Sequence, residues 1–280
     1  MDLIVKKLIL STLTKTWRQQ GKRIGFVPTM GALHEGHISL IKTSTKENDK
    51  TVVSIFVNPA QFNDPEDLKR YPRNLEKDIK LLETTCCDVV FIPEVEEIYP
   101  EPCKLTFDFC YLETIMEGAK RPGHFKGVGQ VLSILFEAIQ PDRAYFGQKD
   151  FQQIAVVKAL LNQLSMNMEI ISCPTVREED GLAMSSRNSL LQEEHRKNAP
   201  HIYRTLQHAV RLASTMDVDA LKQWVIDEIN ANTFLKTEYF EIVDEITLRP
   251  VKTWENNNKK VGCIAVYAGQ IRLIDNVIFV

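Results

Sequence analysis

The sequence has little of what marks a nucleic-acid-binding, secreted or membrane protein. Its 280 residues include 34 Lys and Arg against 37 Asp and Glu, a net charge of −3, so there is no basic excess to hold a nucleic-acid backbone. No run approaches the roughly 20 apolar residues of a membrane span. The first ten residues lack the apolar core and cleavage site of a secretory signal. We therefore expect a cytoplasmic protein without nucleic-acid or membrane partners.

Cysteine is scarce, and its spacing excludes the common zinc and thiol-exchange motifs. The six cysteines stand at positions 86, 87, 103, 110, 173 and 263, with no C-x-x-C pair. The adjacent pair Cys86 and Cys87 is the one candidate redox site, but one thiol at a helix end and one in a packed turn is the commoner arrangement. We expect reduced, structural cysteines.

Length and composition indicate a globular protein of about two domains. Hydrophobic residues make up 44% and charged residues 25% of the chain, which excludes wholly disordered and collagen-like classes. Short apolar runs alternate with segments of helical period, which is typical of a parallel sheet covered by helices. Strands are predicted at 23–28, 51–57, 88–92, 143–146 and 168–172. Helices are predicted at 36–47, 74–84, 127–139 and 151–164.

The pattern changes after Pro174, where a polar, acidic loop begins. Two helices are predicted near 192–213 and 217–231, followed by strands at 239–243, 261–268 and 271–279 with a tight turn at 268–270. We therefore predict a Rossmann-like, doubly wound α/β domain at 1–175 and a smaller α+β domain with an antiparallel element at 176–280.

The most informative segment is P-T-M-G-A-L-H-E-G-H at 28–37, between the first predicted strand and a helix. Ligands of doubly wound sheets bind outside the carboxyl ends of the strands. His34 and His37 share a face if the helix begins there, beside free backbone N–H groups that attract phosphate oxygens. Taken alone, the segment favours a tight turn with surface histidines. A zinc site is weaker still, because no third ligand accompanies the pair.

Further polar segments strengthen the prediction of a ligand site. N-P-A-Q-F at 58–62 and F-G-Q-K-D-F-Q-Q at 146–153 each follow a predicted strand, and three such segments at strand ends favour a site over solvated loops. M-S-S-R-N at 184–188 offers hydroxyls and a guanidinium that suit a polyphosphate, although Ser and Asn are equally typical of a helix N-cap. For R-P-G-H-F-K-G at 121–127, a functional loop and an ordinary turn are equally good interpretations.

Together these motifs resemble the pantothenate synthetase (pantoate:beta-alanine ligase) family of the H-x-G-H nucleotidyltransferases. P-T-M-G-A-L-H-E-G-H, V-N-P-x-Q-F, Y-P-R, R-P-G-H-F-x-G-V, F-G-x-K-D-x-Q-Q and M-S-S-R-N occur in the family's order over nearly the whole chain. The resemblance implies condensation of (R)-pantoate with beta-alanine, by way of pantoyl adenylate, to give pantothenate, AMP and pyrophosphate from ATP. It also implies a homodimer, with 1–175 binding ATP and pantoate and 176–280 closing over the site.

The resemblance further implies roles for single residues. His37 stands where the family has its proton donor, beside His34, and Lys149 is a phosphate-binding cation. The other implied catalytic residues are Ser185, Ser186 and Arg187. The implied ATP contacts are Met30, Gly31, Ala32, Leu33, His34, Glu35, Gly36, His37, Gly147, Gln148, Lys149, Asp150, Val176, Met184, Ser185, Ser186 and Arg187. Gln148 departs from the glutamate that many family members carry.

Two amides and one acid complete the implied site. Gln61 resembles the contact to both pantoate and beta-alanine, and Gln153 resembles a second pantoate contact. Amides orient a carboxylate and hydroxyls without adding charge. A Mg²⁺ ion bridging the phosphates is expected, with Asp78 as a weak candidate ligand.

Other functions stay open on the sequence alone. Another adenylyl-transferring enzyme of the same fold would keep AMP on its product, and a nucleotide sensor would bind without turnover. Gln61 and Gln153 favour pantoate, and the intact His37 and Lys149 disfavour a sensor. A class I tRNA synthetase is disfavoured because the chain is short and acidic and has no evident anticodon-binding domain.

Overall fold

The computed structural model describes residues 1–101, 105–255 and 258–279. The chain forms two compact units, the first of Met1–Gln148 with Gln152–Pro174 and the second of Lys149–Phe151 with Thr175–Val280. Each unit contains its own cluster of buried apolar side chains. Among the described helices, none has the length and apolar character needed to cross a membrane.

The first unit is built on a parallel sheet whose described strands number six. The strands are β1 (Asp2–Ile4), β2 (Ile24–Thr29), β3 (Lys50–Ile55), β4 (Val89–Phe91), β5 (Arg143–Gly147) and β6 (Glu169–Cys173). The helices in this part of the chain are α1 (Lys7–Gln19), α2 (Glu35–Glu47), α3 (Pro65–Arg70), α4 (Leu75–Glu83), α5 (Val95–Ile98), α6 (Met116–Lys120), α7 (His124–Ile139) and α8 (Phe151–Leu164). The spatial order of the strands is β1-β4-β3-β2-β5-β6.

The central strands form where the sequence has unbroken apolar runs, since a parallel strand is covered on both faces. β2 and β4 are buried along almost their whole length, as is β3 after Lys50. The five predicted strands and the predicted parallel sheet are confirmed. β1 and α1 were not predicted. β1 is a three-residue edge strand, and α1 buries only the narrow stripe of Leu10, Thr14 and Trp17.

The second unit combines helices with an antiparallel sheet that has three described strands. Its elements are α9 (Glu193–Asn198), α10 (His201–Leu212), α11 (Val218–Asn230), β7 (Leu235–Asp244), β8 (Lys260–Ala268) and β9 (Ile271–Phe279). The predicted tight turn between the last two strands is confirmed, with Gly269 at φ +64°. The single helix predicted at 192–213 is wrong, because Pro200 lacks a backbone N–H and the chain forms α9 and α10 on either side of it.

The described cysteines are free thiols, as predicted. Burial raises the pKa of Cys87 and of Cys173, so neither thiol is activated as a nucleophile. Cys86 and Cys110 are exposed, and Cys263 is buried. The sixth, Cys103, lies outside the described residues.

Candidate active site

The polar segments of the first unit follow neighbouring strands of one parallel sheet. β2 pairs with β3 on one side and with β5 on the other, so the order of the strands reverses there. Such a reversal creates a crevice at the carboxyl ends of the strands. The H-x-G-H segment follows β2, and Gly147 ends β5. The 3-10 turn Pro59–Gln61, here called the Gln61 turn, follows β3. The topology therefore brings these three segments to the same edge of the sheet.

The H-x-G-H histidines lie side by side at the start of α2. Their ring centroids are 4.1 Å apart. His34 Nδ1 accepts a hydrogen bond from the Gly36 N–H at 3.1 Å, and His37 Nδ1 accepts one from the His34 N–H at 3.3 Å. The two side chains thus cap the helix reciprocally, in the manner of a capping box. The three-residue spacing brings the pair together, as the sequence predicts.

These bonds determine which ring nitrogen of His34 and His37 carries a hydrogen. A backbone N–H only donates, so both Nδ1 atoms accept and each neutral ring carries its hydrogen on Nε2. The prediction of free backbone N–H groups at this helix start is wrong. The N–H groups of Ala32, Leu33, His34 and Gly36 already donate hydrogen bonds to side chains. These four N–H groups are therefore already bound within the protein.

A buried carboxylate from α4 holds the loop between β2 and α2. Asp78 is 2% exposed, and its Oδ2 and Oδ1 accept hydrogen bonds from the N–H groups of Ala32 and Leu33 at 2.8 and 2.7 Å. Burial raises the pKa of Asp78, and the two backbone hydrogen bonds oppose that rise. Thr29 Oγ1 accepts from the Gly31 N–H at 3.2 Å. Three successive amides of the loop are thus bound by side chains.

The Gln61 turn packs closely against the start of α7. The side chain of Gln61 is buried, and its Oε1 accepts a hydrogen bond from Asn58 Nδ2 at 3.0 Å. Asn58 Nδ2 also lies 3.0 Å from the carbonyl oxygen of Gly127, and Asn58 Oδ1 accepts from the Tyr99 hydroxyl at 2.9 Å. A Cβ atom at Gly127 would stand 2.2 Å from the carbonyl oxygen of Ala60, so only glycine fits there. The carboxamide of Gln61 is held in a fixed place.

His124 connects the R-P-G-H-F-K-G segment to the same turn. Its Nδ1 lies 2.8 Å from the carbonyl oxygen of Gln61, and its Nε2 lies 3.1 Å from Arg121 Nη1. A guanidinium only donates, so Nε2 accepts and the Nδ1–H donates to Gln61. The segment therefore supports the Gln61 turn, a role that neither the functional loop nor the ordinary turn of the prediction included.

Gln153 and its neighbour Gln152 have different environments on the first turn of α8. Gln152 is buried, accepts from the Glu117 N–H at 2.9 Å and donates to the carbonyl oxygens of Leu112 and Ile115 at 2.8 and 3.1 Å. Gln153 is half-buried. Gln152 therefore holds the segment before α6, and Gln153 stays the candidate substrate contact.

In the second unit, Lys149 is linked to a hairpin that runs from Val176 to Met184, here called the 176–184 hairpin. Lys149 Nζ donates a hydrogen bond to the carbonyl oxygen of Met184 at 3.4 Å. The Met184 N–H donates in turn to the carbonyl oxygen of Val176 at 3.0 Å. Gln148 and Asp150 stand beside Lys149 in a 3-10 turn, Gln148–Asp150, and are half-buried. Three of the predicted ATP contacts are thus neighbours in one unit.

An ion pair between the half-buried Arg177 and the buried Asp275 anchors the 176–184 hairpin to β9. Arg177 Nη1 and Nη2 lie 2.6 and 2.9 Å from the two carboxylate oxygens of Asp275, and the guanidinium stacks over Tyr203 at 3.5 Å. Burial raises the pKa of Asp275, and Arg177 opposes that rise. The next residue, Asn276, donates from Nδ2 to the carbonyl oxygen of Lys149 at 3.0 Å. One strand therefore supports both Lys149 and the hairpin.

The M-S-S-R segment begins a 3-10 turn, Ser186–Leu190. Ser185 is the N-cap of this turn, and its Oγ accepts from the Arg187 N–H at 3.3 Å. The alternative interpretation of an N-cap is thus present at Ser185. Ser186 and Arg187 follow it in the turn and are half-buried.

The supporting residues Asn58, Asp78, Asp275 and Asn276 were missed as anchors by the sequence analysis. One signal was available for Asp275. It lies between Leu273 and Val277, and all three alternate positions are buried. An acid on the inward face of a strand requires a partner. Asp78 carries no comparable signal, because an acid in the first turn of a helix is ordinary.

The predicted site contains no metal-binding cluster among the described residues, and a cavity in the second unit lies apart from the predicted site residues. No group of three or more His, Cys, Asp and Glu side chains in the described part of the chain is placed to hold a metal ion. A cavity of about 560 Å³ lies in the second unit, lined among others by His195, Phe234, Glu238 and Tyr267. None of its lining residues is a predicted site residue.

Comparison with known proteins identifies the family. The family model described as pantoate-beta-alanine ligase matches residues 3–278. The chain belongs to the pantoate-beta-alanine ligase family. Among curated relatives, the pantothenate synthetase of Bacteroides fragilis strain YCH46 is 54% identical over 93% of this chain and 92% of that protein. That of Porphyromonas gingivalis strain W83 is 51% identical over the same shares.

Solved structures of the pantoate-beta-alanine ligase family share the fold. Pantothenate synthetase from Thermus thermophilus superposes with a TM-score of 0.92 at 41% identity, covering 99% of both chains. The ligase from Francisella tularensis, complexed with beta-gamma ATP and beta-alanine, has a TM-score of 0.82 at 37% identity and covers 99% of this chain and 97% of that one. The predicted family, fold class and ATP-dependent ligase function are confirmed.

Proposed function

We propose that this chain condenses (R)-pantoate with beta-alanine in two steps. A carboxylate oxygen of pantoate attacks the α-phosphorus of ATP, and pyrophosphate leaves. The neutral amine of beta-alanine then attacks the acyl carbon of pantoyl adenylate, AMP leaves with the electrons of the broken C–O bond, and the excess proton on nitrogen passes to water to give pantothenate. The observation that supports this most is the His34 and His37 pair at the start of α2, where each Nδ1 accepts a backbone hydrogen bond and each Nε2 is left as the donor.

His34 and His37 act in the first step. Two anions must approach one another, and negative charge grows on the leaving pyrophosphate, so stabilisation of that charge is the main task of the protein. With both Nδ1 atoms bonded to backbone N–H groups, the rings offer Nε2–H donors to phosphate oxygens. His37, which stands in the family's proton-donor position, is proposed to donate a hydrogen bond from its Nε2–H to the leaving pyrophosphate, and the neutral ring keeps that hydrogen throughout.

Gln61 and Gln153 orient the acid and the amine. A carboxamide donates and accepts at once, so it holds a carboxylate or hydroxyl without adding charge next to ATP. The rigid support of Gln61 by Asn58 and His124 fits this task, because a positioned nucleophile gains most from a fixed partner.

The proposed ATP contacts divide between the two units. In the first unit they are Met30, Gly31, Ala32, Leu33, His34, Glu35, Gly36, His37, Gly147 and Gln148. In the second unit they are Lys149, Asp150, Val176, Met184, Ser185, Ser186 and Arg187. Lys149 and Arg187 supply positive charge for the phosphates, and Asp150 accepts a ribose hydroxyl. The functional division into domains 1–175 and 176–280, with the second closing, belongs to the same proposal.

We also propose that Mg²⁺ takes part and that ATP phosphate oxygens would supply most of its ligands, as is usual at nucleotide sites. This fits a described chain without a preformed metal cluster. Asp78 stays the candidate protein ligand, although both its oxygens already accept backbone hydrogen bonds. Mg²⁺ would neutralise charge on the phosphates.

A homodimer in the cytoplasm completes the proposal. β1 is an edge strand of the parallel sheet, and it is followed by apolar side chains that face solvent. Leu3, Leu8 and Ile9 are exposed by 52%, 77% and 57%. A run of exposed apolar side chains beside a sheet edge is typical of an interface.

The deciding experiment follows pyrophosphate release from ATP and Mg²⁺ with pantoate, with and without beta-alanine. We expect release that requires pantoate, and AMP with pantothenate once beta-alanine is added. Release with another carboxylate alone would point to a different adenylating enzyme. Binding of ATP without release would point to a sensor.

His37→Ala tests the proposed hydrogen-bond donor. We expect pantoate-dependent pyrophosphate release to fall by about 10²–10³-fold, the usual cost of removing one hydrogen-bond donor to a developing negative charge. Circular dichroism should stay that of the parent, since only one helix cap is lost. His208→Ala, in α10 of the second unit, is the matched control. Parent turnover in His37→Ala would remove His37 from the mechanism.

A further inference from the structure

We propose that Asp78 is a positioning residue for adenylate formation, an inference that rests on the function proposed above. Its carboxylate holds the loop from Met30 to Leu33 in the conformation that presents His34 and His37. Asp78 reaches this loop from a separate helix, α4, and binds two consecutive amides of it.

The loop needs such an anchor because its backbone is strained. Gly31 has φ +77° and Ala32 has φ +47°, two successive left-handed residues. For a residue with a side chain such as Ala32, this conformation is unfavourable. It persists only where surrounding contacts determine it. Charge-assisted hydrogen bonds from the Ala32 and Leu33 N–H groups to Asp78 are contacts of sufficient strength.

The anchor is rigid at its other end. Asp78 lies in the first turn of α4, which Asn74 caps by accepting the Lys77 N–H at 3.0 Å. The Asp78 N–H donates to the Asn74 carbonyl oxygen at 3.0 Å. The backbone that carries the Asp78 carboxylate is therefore held in the capped first turn of α4.

The position of the histidines follows directly from the anchored amides. His34 is the next residue after Leu33, and the His34 N–H donates to His37 Nδ1. A shift of the Leu33 amide therefore moves the N-cap of α2 and both rings with it. A displacement of about 1 Å at a reacting group costs roughly 10²-fold in rate.

The test uses Asp78→Asn in the full chain, with Glu76→Gln on the exposed face of the same helix as the matched control. Asparagine keeps the shape but turns an NH₂ group toward one backbone N–H. We expect kcat/KM for ATP to fall about 10–100-fold, while the KM for beta-alanine stays within about twofold. Glu76→Gln should behave as the parent.

Amide hydrogen exchange supplies a readout that does not depend on turnover. Peptides covering residues 30–38 of Asp78→Asn should exchange faster than those of the parent, and peptides covering 50–56 in β3 should not change. The loop proposal is then tested even if the parent protein shows no pantoate-dependent pyrophosphate release, which would sink the proposed function alone.

Three outcomes would overturn the positioning role. Unchanged exchange in residues 30–38 would show that Asp78 does not hold the loop. A raised Mg²⁺ requirement with unchanged exchange would make Asp78 a metal ligand instead. Faster exchange with parent kinetics would show that the loop is anchored but that the anchor is irrelevant to adenylate formation.

Discussion

The loop before α2 and the 176–184 hairpin both carry proposed ATP contacts, but their anchors differ in chemistry. Asp78 binds neutral backbone amides, whereas Asp275 binds the charged guanidinium of Arg177. Weakening a bond to an amide leaves no uncompensated cation, but removing half of a buried ion pair leaves a buried charge. The first anchor therefore mainly sets position, and the second also decides the stability of its unit.

Arg177→Met should have the largest effect on stability. It strands the buried carboxylate of Asp275, and we expect the free energy of unfolding to fall by about 3–5 kcal/mol. Urea unfolding followed by tryptophan fluorescence measures this, because Trp224 and Trp254 both lie in the second unit. The double variant Arg177→Met with Asp275→Leu should recover most of the loss. A single variant as stable as the parent would contradict the ranking of the two anchors.

Gly31→Ala should have a smaller effect that is local to the first unit. A Cβ atom there would stand 3.0 Å from Asp78 Oδ2 and 3.1 Å from Ile55 Cγ2, at φ +77°. We expect a loss of about 1–3 kcal/mol in unfolding free energy, together with faster exchange in residues 30–38. Gly21→Ala is the matched control, since Gly21 has φ +72° but nothing within 4 Å. Equal losses in the two variants would show that the contact with Asp78 adds nothing.

The last expected effect, which is seen only at acid pH, is a pH dependence at a third carboxylate. Asp244 accepts from the N–H groups of Thr247 and Ile246 and from the Asn258 carboxamide. These hydrogen bonds outweigh burial and lower its pKa to about 2, whereas burial prevails at Asp78 and raises its pKa. Asp244 therefore adds stability that is present above its unfolded pKa of about 3.9 and is lost as pH falls toward about 2.

Acid unfolding of Asp244→Asn measures this contribution. The parent should lose stability more steeply than the variant between about pH 4 and pH 2. Parallel acid transitions would mean that the pKa of Asp244 is the same in the folded and unfolded chains.

The sequence predicted the parts of the fold that rest on continuous or strictly periodic burial. Parallel strands covered on both faces read as apolar runs, and the five predicted ones were found. α1 was missed because Leu8 and Ile9 are exposed, which obscures its helical period. The break at Pro200 was overlooked because the helical period after it was extended back over residues 192–198, which are all polar and carry no period of their own.

The motif residues of the site were easier to predict from the sequence than the residues that support them. Motif residues such as His34 and His37 lie close together in the chain, so local spacing indicates their geometry. Asp78 lies 46 and 45 residues from the amides it binds, and Asp275 lies 98 residues from Arg177. Only the folded topology brings such partners together.

The close approach of Gly127 to the Ala60 carbonyl has a consequence for engineering the acid specificity. Gln61 provides the carboxamide of the turn, while the absence of a side chain at Gly127 allows the turn to lie this close to α7. In the proposed function Gln61 contacts pantoate, so exchanging it for another polar side chain should change which acid is preferred without moving the backbone. Exchanging Gly127 would displace the same carboxamide without altering it. The kind of side chain can therefore be varied at position 61, and the placement of the turn can be varied separately at position 127.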